Sequence, residues 1–302
     1  MANRDGNGWT TCEHGHRHWG RYGAAGLLAY APCQPAARAC VLLQRRSWWG
    51  NHGGTWGPPG GARDSHESAV AAALREAEEE CGLSAGAVSV LGILRDDHGG
   101  WSYQTVIAAA PRPLPVYSLS SETSKAAWVP AEEVAALDLH PGFAARWPLL
   151  REALQPLTII VDAANVMGSR PDGWWRDRAG AARRLRGELA GLAAEGVAAL
   201  PESVPAPVLE RWFPEFVLVV EGAARSIAAH HAAGSRDRDA SGSPGGRLRV
   251  VAAAGSGDDT IAALAGDLEG RRLVVTADRR LRERCVAAGA SVTGPSWLLG
   301  QL

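Results

Sequence analysis

The feature that most constrains this chain is the run over residues 61–83, which reads GARDSHESAVAAALREAEEECGL. Good helix formers fill residues 67–81. Gly82 follows them, at the place where a left-handed residue commonly ends a helix. A Pro-Gly-Gly sequence opens the run and lets the backbone turn tightly. The run therefore predicts a tight loop followed by a helix.

Three glutamates of this helix share one face. Glu76, Glu79 and Glu80 stand at i, i+3 and i+4. Like charges at this spacing repel each other and lower helix stability unless a cation binds them. Oxygen ligands alone select hard ions, Mg²⁺ first and Mn²⁺ second. The alternative is an exposed, solvated acidic helix, which an isolated E-x-x-E-E would favour.

The spacing of the whole run is more specific than its acidic part. Its pattern is G-x5-E-x7-R-E-U-x-E-E-x-G-U, where U is a bulky aliphatic residue. This pattern resembles the Nudix box, and the chain resembles Nudix hydrolases over about 130 residues. The pattern has seven fixed positions. The probability that all seven match by chance is on the order of 10⁻⁸ for each starting residue. Ala77 at the first U is the one departure, and it affects local packing more than chemistry.

The resemblance implies an α/β/α sandwich around a mixed sheet and a metal-dependent pyrophosphohydrolase. Such enzymes cleave a nucleoside diphosphate linked to another moiety, with bound metal that neutralises phosphate and activates water. By the resemblance, the catalytic and metal-binding residues are Glu76, Glu79 and Glu80, with the Gly61 carbonyl as a further metal ligand. Structural support comes from Glu67, Arg75 and Gly82.

Further site residues are expected outside the box. Many family members use another acidic residue, for which the sequence offers Asp96, Asp97 and Glu122 without choosing among them. Trp48 and Trp49 precede the box in a loop and are candidates for stacking on a nucleobase. Core or loop packing is the alternative role for both.

The length of 302 residues favours two domains, because domains usually run about 100–200 residues. We predict an N-terminal extension over 1–19, a Nudix domain over 20–154 and a second α/β domain over 157–302. A segment rich in Gly, Ser, Asp and Arg predicts a flexible loop at 231–246.

Apolar runs predict the strands of both domains. In the first domain they cover residues 23–31, 39–43, 88–94, 103–109 and 126–130. In the second domain, continuous apolar runs alternate with helical stretches and cover residues 157–161, 216–220, 248–253 and 273–276. The second pattern is typical of a parallel sheet that is covered on both faces.

Acidic residues follow the strands of the second domain, where sites of open parallel sheets lie. They are Asp162, Glu221, Asp258, Asp259 and Asp278, with Asn165 three residues after Asp162. The early D-x-x-N and late T-x-D-x-x-L resemble PIN-like and NYN nuclease domains, which implies metal-dependent cleavage of RNA. The alternative is a set of helix caps and turn residues in a domain without catalysis.

Composition limits the partners. Lys+Arg 31 against Asp+Glu 32 gives a net charge of −1, so bulk charge does not hold this chain to nucleic acid. No apolar stretch is long enough for a membrane helix, and no signal peptide is evident, which favours a cytoplasmic protein. Five cysteines without a C-x-x-C pair predict reduced thiols.

The N-terminal segment holds Cys12, His14, His16 and His18. This segment lacks the paired spacing of structural zinc sites, and the sequence favours a loop or surface strand there.

Three functional hypotheses remain open. The first is a Nudix pyrophosphohydrolase fused to a PIN-like ribonuclease. In the second, the C-terminal domain is a binding module without catalysis. In the third, the chain is a nuclease whose Nudix domain only senses a nucleotide, against which the intact acidic triad argues.

Overall fold

The computed structural model describes residues 4–34, 38–49, 52–228 and 247–302. Two compact units divide the chain: Met1–Leu154 with Pro207–Glu210, and Gln155–Ala206 with Arg211–Leu302. The loop predicted at 231–246 lies outside the described residues. Within the described ranges, no helix is both long and apolar enough to cross a membrane.

The first unit contains nine strands and two α-helices in its described residues. The strands are β1 (Trp9–Thr11), β2 (Arg17–Trp19), β3 (Ala24–Cys33), β4 (Arg38–Arg46), β5 (Trp56–Gly57), β6 (Gly60–Ala62), β7 (Ser89–Asp97), β8 (Ser102–Ala109) and β9 (Thr123–Pro130). The helices are α1 (Ala69–Cys81) and α2 (Pro141–Glu152). Short 3-10 turns occupy Ala85–Ala87 and Val134–Ala136.

The main sheet of this unit is mixed, as the resemblance to Nudix hydrolases implies. Its strands neighbour each other in the order β7-β8-β3-β4-β5, with β6 paired to β3 and β9 to β4. The pair β3/β8 is parallel, whereas β3/β4, β7/β8 and β4/β9 are antiparallel. The central strand β3 is almost wholly buried, and α1 packs against it and against β6. This packing places the acidic helix beside the strands that form the site.

A disulfide joins the two strands of the β3/β4 hairpin, and the expectation of five reduced thiols is wrong. Cys33 and Cys40 are bonded, with Cα atoms 5.8 Å apart. The sequence contains no C-x-x-C pair, and this bond depends on the hairpin pairing that brings the two residues together. The free cysteines are Cys12, Cys81 and Cys285, all buried.

The second unit is built on a five-stranded parallel sheet. Its strands are β10 (Leu157–Asp162), β12 (Glu215–Val220), β13 (Leu248–Ala252), β14 (Arg271–Val275) and β15 (Ser291–Thr293), in the order β13-β12-β10-β14-β15. All four strand pairs are parallel. The two-residue strand β11 (Arg211–Trp212) lies outside this sheet and forms a bridge to Val197. The predicted parallel sheet is confirmed.

Helices lie between these strands and after the last of them. They are α3 (Ala163–Gly168), α4 (Arg178–Glu195), α5 (Gly257–Asp267), α6 (Arg279–Ala287) and α7 (Pro295–Leu299). The strand order reverses direction at β10, since β12 lies on one side and β14 on the other. In open α/β sheets, ligands bind outside the carboxyl ends of the strands at such a switch point.

Candidate active site

Backbone and side-chain contacts hold the loop and helix of residues 61–83 in place, from β6 at the start to Gly82 at the end of the helix. Gly60–Ala62 forms β6, which places Gly61 opposite Ala25 of β3. Ser68 caps α1, because its side chain accepts a hydrogen bond from the backbone N–H of Ala71 at 3.1 Å. Gly82 ends the helix with φ 71°, a conformation that glycine adopts without strain.

Arg75 joins the loop to the helix. Its guanidinium donates to both carboxylate oxygens of Glu67, at 2.8 and 2.9 Å, and to Oε1 of Glu76 at 2.7 Å. It also donates to the Ala62 carbonyl at 3.1 Å. The hydrogen bonds from Arg75 lower the pKa of the Glu67 carboxyl, which keeps it ionised. Arg75 therefore orients the first of the three helix glutamates from the side.

Glu80 is the buried member of the three. Its side chain is 8% exposed, and Oε2 accepts hydrogen bonds from the Gly60 N–H and from the Gln44 amide, each at 2.8 Å. Burial, and then the charge of nearby Glu76, raise the pKa of the Glu80 carboxyl to about 8. Gln44 is 2% exposed within an apolar strand, and its role was not found from the sequence. The sequence signal that could have indicated this role is a polar glutamine in an otherwise apolar strand.

Glu79 lies at the exposed edge of the same face, with 37% of its side chain accessible. It pairs with Arg4 at 2.5 Å and more weakly with Arg75 at 3.4 Å. The helix thus presents a buried carboxylate on Glu80, a half-buried one on Glu76 and an exposed one on Glu79. Arginine side chains balance the negative charge of the last two.

Gly61 leaves room for one of these carboxylates. A Cβ atom at position 61 would lie 2.7 Å from Oε1 of Glu76. The neighbouring Gly60 is packed differently, since a Cβ there would lie 2.5 Å from both the Ala25 carbonyl oxygen and the Gly26 Cα. Gly61 makes space for the site, whereas Gly60 makes space for the sheet.

A cavity of about 270 Å³ adjoins these residues within the first unit. Gln44 and Gly60, the two donors to Glu80, both line it. Aromatic side chains cover part of its wall, namely Trp101, Tyr103 and Phe143. Arg46, Asp96 and Arg146 add charge. The cavity therefore combines apolar surface with a few polar groups, as binding sites for small molecules usually do.

The three acidic candidates outside the box are placed differently. Asp96 lines the cavity and pairs with Arg146. Asp97 accepts a hydrogen bond from the Gly99 N–H at 3.0 Å and pairs with Arg95. Glu122 is exposed at the surface. Of the three, Asp96 alone lines this cavity.

Trp48 and Trp49 lie at the surface and are 86% and 56% exposed. Neither is among the residues that line the cavity. The tryptophan that does so is Trp101, which is 9% exposed and whose indole N–H donates to the Gly20 carbonyl at 2.8 Å. The sequence analysis favoured Trp48 and Trp49 for the base-stacking role and did not select Trp101.

In the second unit, one hydrogen-bond network joins the two motifs found in the sequence. Asp162 is 5% exposed and accepts from the backbone N–H of Asn165 at 3.0 Å and from its side-chain amide at 2.7 Å. The Thr276 hydroxyl donates to the same carboxylate at 2.9 Å and accepts from the Asp278 N–H at 3.2 Å. The D-x-x-N and T-x-D segments thus meet at the switch point of the sheet.

The other acidic residues at the carboxyl edge of the parallel sheet differ in their hydrogen-bond and ion-pair partners. Glu221 accepts from the Gly257 N–H at 2.9 Å, and Asp278 caps α6 through the Leu281 N–H at 2.8 Å. Asp259 is exposed and pairs with Arg284 at 2.7 Å. Two of the candidates, Asp162 and Asp278, are therefore also helix caps.

The negative charges of the other carboxylates of this edge act on Asp258. Burial raises its pKa first, and then the charges of Asp278, Asp162 and Glu221 raise it further. In the described part of the chain, however, neither this group nor the helix glutamates bring three carboxylates within 4.8 Å of one another. The groups that reach this spacing are Cys12 with His16, His18 and His98, and Asp5 with Asp64 and His66.

Comparison with known proteins identifies the first unit. The profile of the NUDIX domain family matches residues 24–152. A Mycobacterium tuberculosis H37Rv protein named "Putative 8-oxo-dGTP diphosphatase 3" is 47% identical over 161 residues, which cover 51% of this chain and 72% of that protein. A Bifidobacterium longum protein named "Nucleoside triphosphate pyrophosphatase/Nudix hydrolase fusion protein" is 35% identical over 159 residues, covering 52% of this chain and 33% of that protein.

Among solved structures, a Nudix hydrolase from M. smegmatis, RenU, is 48% identical and superposes with a TM-score of 0.47, covering 49% of this chain and 94% of that one. The identity to the mycobacterial relative, its coverage and the matched family profile agree with the box found in the sequence. The chain belongs to the NUDIX family, and it is a Nudix hydrolase that acts on acid anhydrides of phosphorus.

Proposed function

We propose that the first unit hydrolyses the diphosphate of a nucleoside diphosphate linked to another moiety. The observation that carries the proposal is that Gln44 and Gly60 hold Glu80 and also line the cavity. The acidic face of α1 and the cavity therefore share residues. A substrate bound in the cavity would place its phosphates beside these carboxylates.

The chemistry of the donors fits a divalent cation, but Glu76, Glu79 and Glu80 do not all lie within 4.8 Å of one another, so the exposed Glu79 would have to turn toward the other two to join them. Glu76 and Glu80 are close enough that the charge of one raises the pKa of the other, and Glu80 is buried. A bound cation would relieve this repulsion, and an all-oxygen donor set selects Mg²⁺ or Mn²⁺. We assign Glu76, Glu79, Glu80 and the Gly61 carbonyl as its ligands. The cation would neutralise the diphosphate and activate the water that attacks phosphorus, which breaks one phosphorus–oxygen bond of the anhydride.

The cavity would bind the nucleoside. Trp101, Tyr103 and Phe143 offer aromatic faces to a base, while Arg46 and Arg146 offer donors to phosphate or base oxygens. We also propose Asp96 as the acidic group outside the box, because it lines the cavity. Trp48 and Trp49 stay candidates for stacking on a nucleobase, although neither lines the cavity. The name of the mycobacterial relative makes 8-oxo-dGTP one substrate to test.

A nucleotide panel with Mg²⁺ or Mn²⁺ tests this function. Wild type should release phosphate or pyrophosphate from at least one nucleotide, and the Glu79→Gln variant should lose that activity. Glu78→Gln is the matched control, because Glu78 is an exposed glutamate of the same helix at a variable position of the box. A Glu79→Gln variant as active as Glu78→Gln would refute the assignment. No activity in wild type would favour a nucleotide-sensing domain.

For the second unit, we propose a PIN-like, metal-dependent ribonuclease. The supporting observation is that Asp258 lies in the field of Asp162, Glu221 and Asp278 at the switch point of a parallel sheet. Asp259 would join these acids, and Asn165 would orient Asp162, whose carboxylate it already contacts. The capping bonds of Asp162 and Asp278 support the other candidate, a binding module without catalysis.

Cleavage of a labelled single-stranded RNA with Mg²⁺ or Mn²⁺ separates these two candidates. Wild type should cleave it, and Asp258→Asn should abolish cleavage because its side chain caps no helix. Asp267→Asn, at the far end of the same helix, is the matched control. If wild type binds RNA but leaves it intact with either metal, the binding module is the correct assignment.

A further inference from the structure

A cluster of one cysteine and three histidines lies outside the carboxylate site of the first unit. Cys12, His16 and His18 belong to the β1/β2 hairpin, and His98 belongs to the turn between β7 and β8. Each offers one ligand atom, and these four atoms all lie within 4.8 Å of one another. The first three are close in sequence, whereas His98 is brought to them only by the fold.

One member of the cluster has a buried polar atom that is unsatisfied. Nε2 of His18 is buried and has no hydrogen-bond partner among the residues that the structure describes. The His18 ring stacks on Trp101, with centroids 4.0 Å apart and planes at 12°, and the His98 ring lies 4.7 Å away on centroids. Burying an imidazole nitrogen without a hydrogen-bond partner costs free energy. A ligand bound at this nitrogen would remove that cost.

The hairpin is already held against the turn that carries His98. The Glu13 N–H donates to the Gly99 carbonyl at 2.9 Å, and the Cys12 N–H donates to the His16 carbonyl at 3.0 Å. Cys12 itself is 5% exposed and packs with Trp101. These backbone contacts position the donors before any ion binds, so little ordering remains to be done on binding.

The donor set selects the ion. A thiolate with three imidazoles is soft compared with carboxylates, and it suits Zn²⁺ rather than Mg²⁺. In a tetrahedral site with bonds of about 2.0–2.3 Å, ligand atoms lie about 3.3–3.8 Å apart. Because no two ligand atoms are more than 4.8 Å apart, each pair would need to close by at most about 1.5 Å. Four protein ligands leave no open position for substrate, which is the pattern of a structural site.

We propose that Cys12, His16, His18 and His98 form a structural zinc site that fastens the N-terminal hairpin to the β7/β8 turn. His18 and His98 also line the cavity, as does Asp96, whose carboxylate lies 3.6 Å from Nε2 of His98. The zinc ion would stabilise this wall of the cavity. Ligating histidines commonly have such a carboxylate beside them.

Metal content tests the proposal directly. The full chain, produced without a histidine tag and dialysed free of loose metal, should carry about one zinc per chain. Cys12→Ser and His98→Asn should lose it. His14→Asn is the matched control, because His14 is an exposed histidine of the same hairpin turn that does not belong to the cluster, and it should keep its zinc.

Cobalt distinguishes this site from the helix glutamates. Exchange of zinc for Co²⁺ should give a sulfur-to-cobalt charge-transfer band in wild type and in His14→Asn, but none in Cys12→Ser. A strong chelator should lower the melting temperature of wild type by several degrees and leave that of Cys12→Ser unchanged. Wild type that contains no zinc and gives no charge-transfer band with Co²⁺ would overturn the proposal, whatever the variants do.

Discussion

Gly61 and the Glu76 carboxylate occupy adjoining space, so that a Cβ on Gly61 would lie 2.7 Å from Oε1 of Glu76. The obstacle is the end of a flexible side chain, which can move aside. At Gly60 the obstacles are backbone atoms of β3, 2.5 Å away. Two adjacent glycines are therefore required for different reasons.

Gly61→Ala should reduce activity more than stability. Displacement of the Glu76 carboxylate is expected to lower nucleotide hydrolysis by about 10- to 100-fold, with a melting temperature close to wild type. Gly60→Ala should instead lower the melting temperature clearly, because the sheet must shift. Assays of hydrolysis and of thermal unfolding on both variants check this contrast. Equal effects of the two substitutions on both properties would contradict it.

His140 should make stability depend on pH. Burial, and then the nearby His52 and Arg46, lower its pKa from 6.5 to about 4. Between these two values the unfolded chain binds a proton that the folded chain does not, so the free energy of unfolding should fall as pH falls from 6.5 to about 4. Because His140 is partly exposed, we expect its share of this loss to be about 1–2 kcal/mol.

Urea unfolding at several pH values measures this effect. His140 caps α2 by accepting from the Gly142 N–H at 3.2 Å, and His140→Asn keeps a capping acceptor while removing the titration. The variant should lose less stability than wild type over that range. The exposed His66, changed to Asn, is the control and should leave the wild-type slope intact. Parallel slopes for wild type and His140→Asn would rule the effect out.

The Cys33–Cys40 bond should be visible by thiol counting. Unfolded, unreduced protein should titrate the free thiols of Cys12, Cys81 and Cys285, and reduction should expose two more. Loss of the bond in Cys33→Ser should lower the free energy of unfolding by about 2 kcal/mol, as expected for a short loop. Cys81→Ser leaves the bond intact and should keep the two thiols that reduction releases. Five thiols in the unreduced protein would exclude the disulfide.

Thr276 should be important for the stability of the second unit. Its hydroxyl contacts both the buried Asp162 carboxylate and the Asp278 N–H. Thr276→Val removes both bonds and should cost about 1–3 kcal/mol in the free energy of unfolding, measured by urea denaturation. Thr260→Val is the control, since the Thr260 hydroxyl donates only to the Ser256 carbonyl on α5 and its loss should cost under about 0.5 kcal/mol. Similar losses in both variants would argue against a special role for Thr276.

Sequence reasoning succeeded where the information is local. The fixed positions of the Nudix box fall within one loop and one helix, so their spacing alone identified them. Continuous apolar runs predicted β10, β12, β13 and β14, and of these β10 and β12 are almost wholly buried, as strands covered on both faces are. The predicted helix at 67–81 begins at Ala69 in the structure, since Ser68 is its cap.

Contacts that depend on how strands pair and elements pack could not be predicted in this way. His98 joins Cys12 only through the docking of the N-terminal hairpin, and no spacing rule covers that separation. The bond between Cys33 and Cys40 depends on strand pairing. Gln44 reaches Glu80 from another element of the sheet, and the cavity that they border is formed by the fold.

The position of β10 has a consequence for synthesis of the protein. It is the central strand of its sheet, yet β14 pairs with it only after more than a hundred further residues have been made. Until then one edge of a buried, apolar strand has no neighbour to pair with. A nascent chain interrupted before β14 would display that edge to other chains, so prematurely terminated products should aggregate and depend on chaperones.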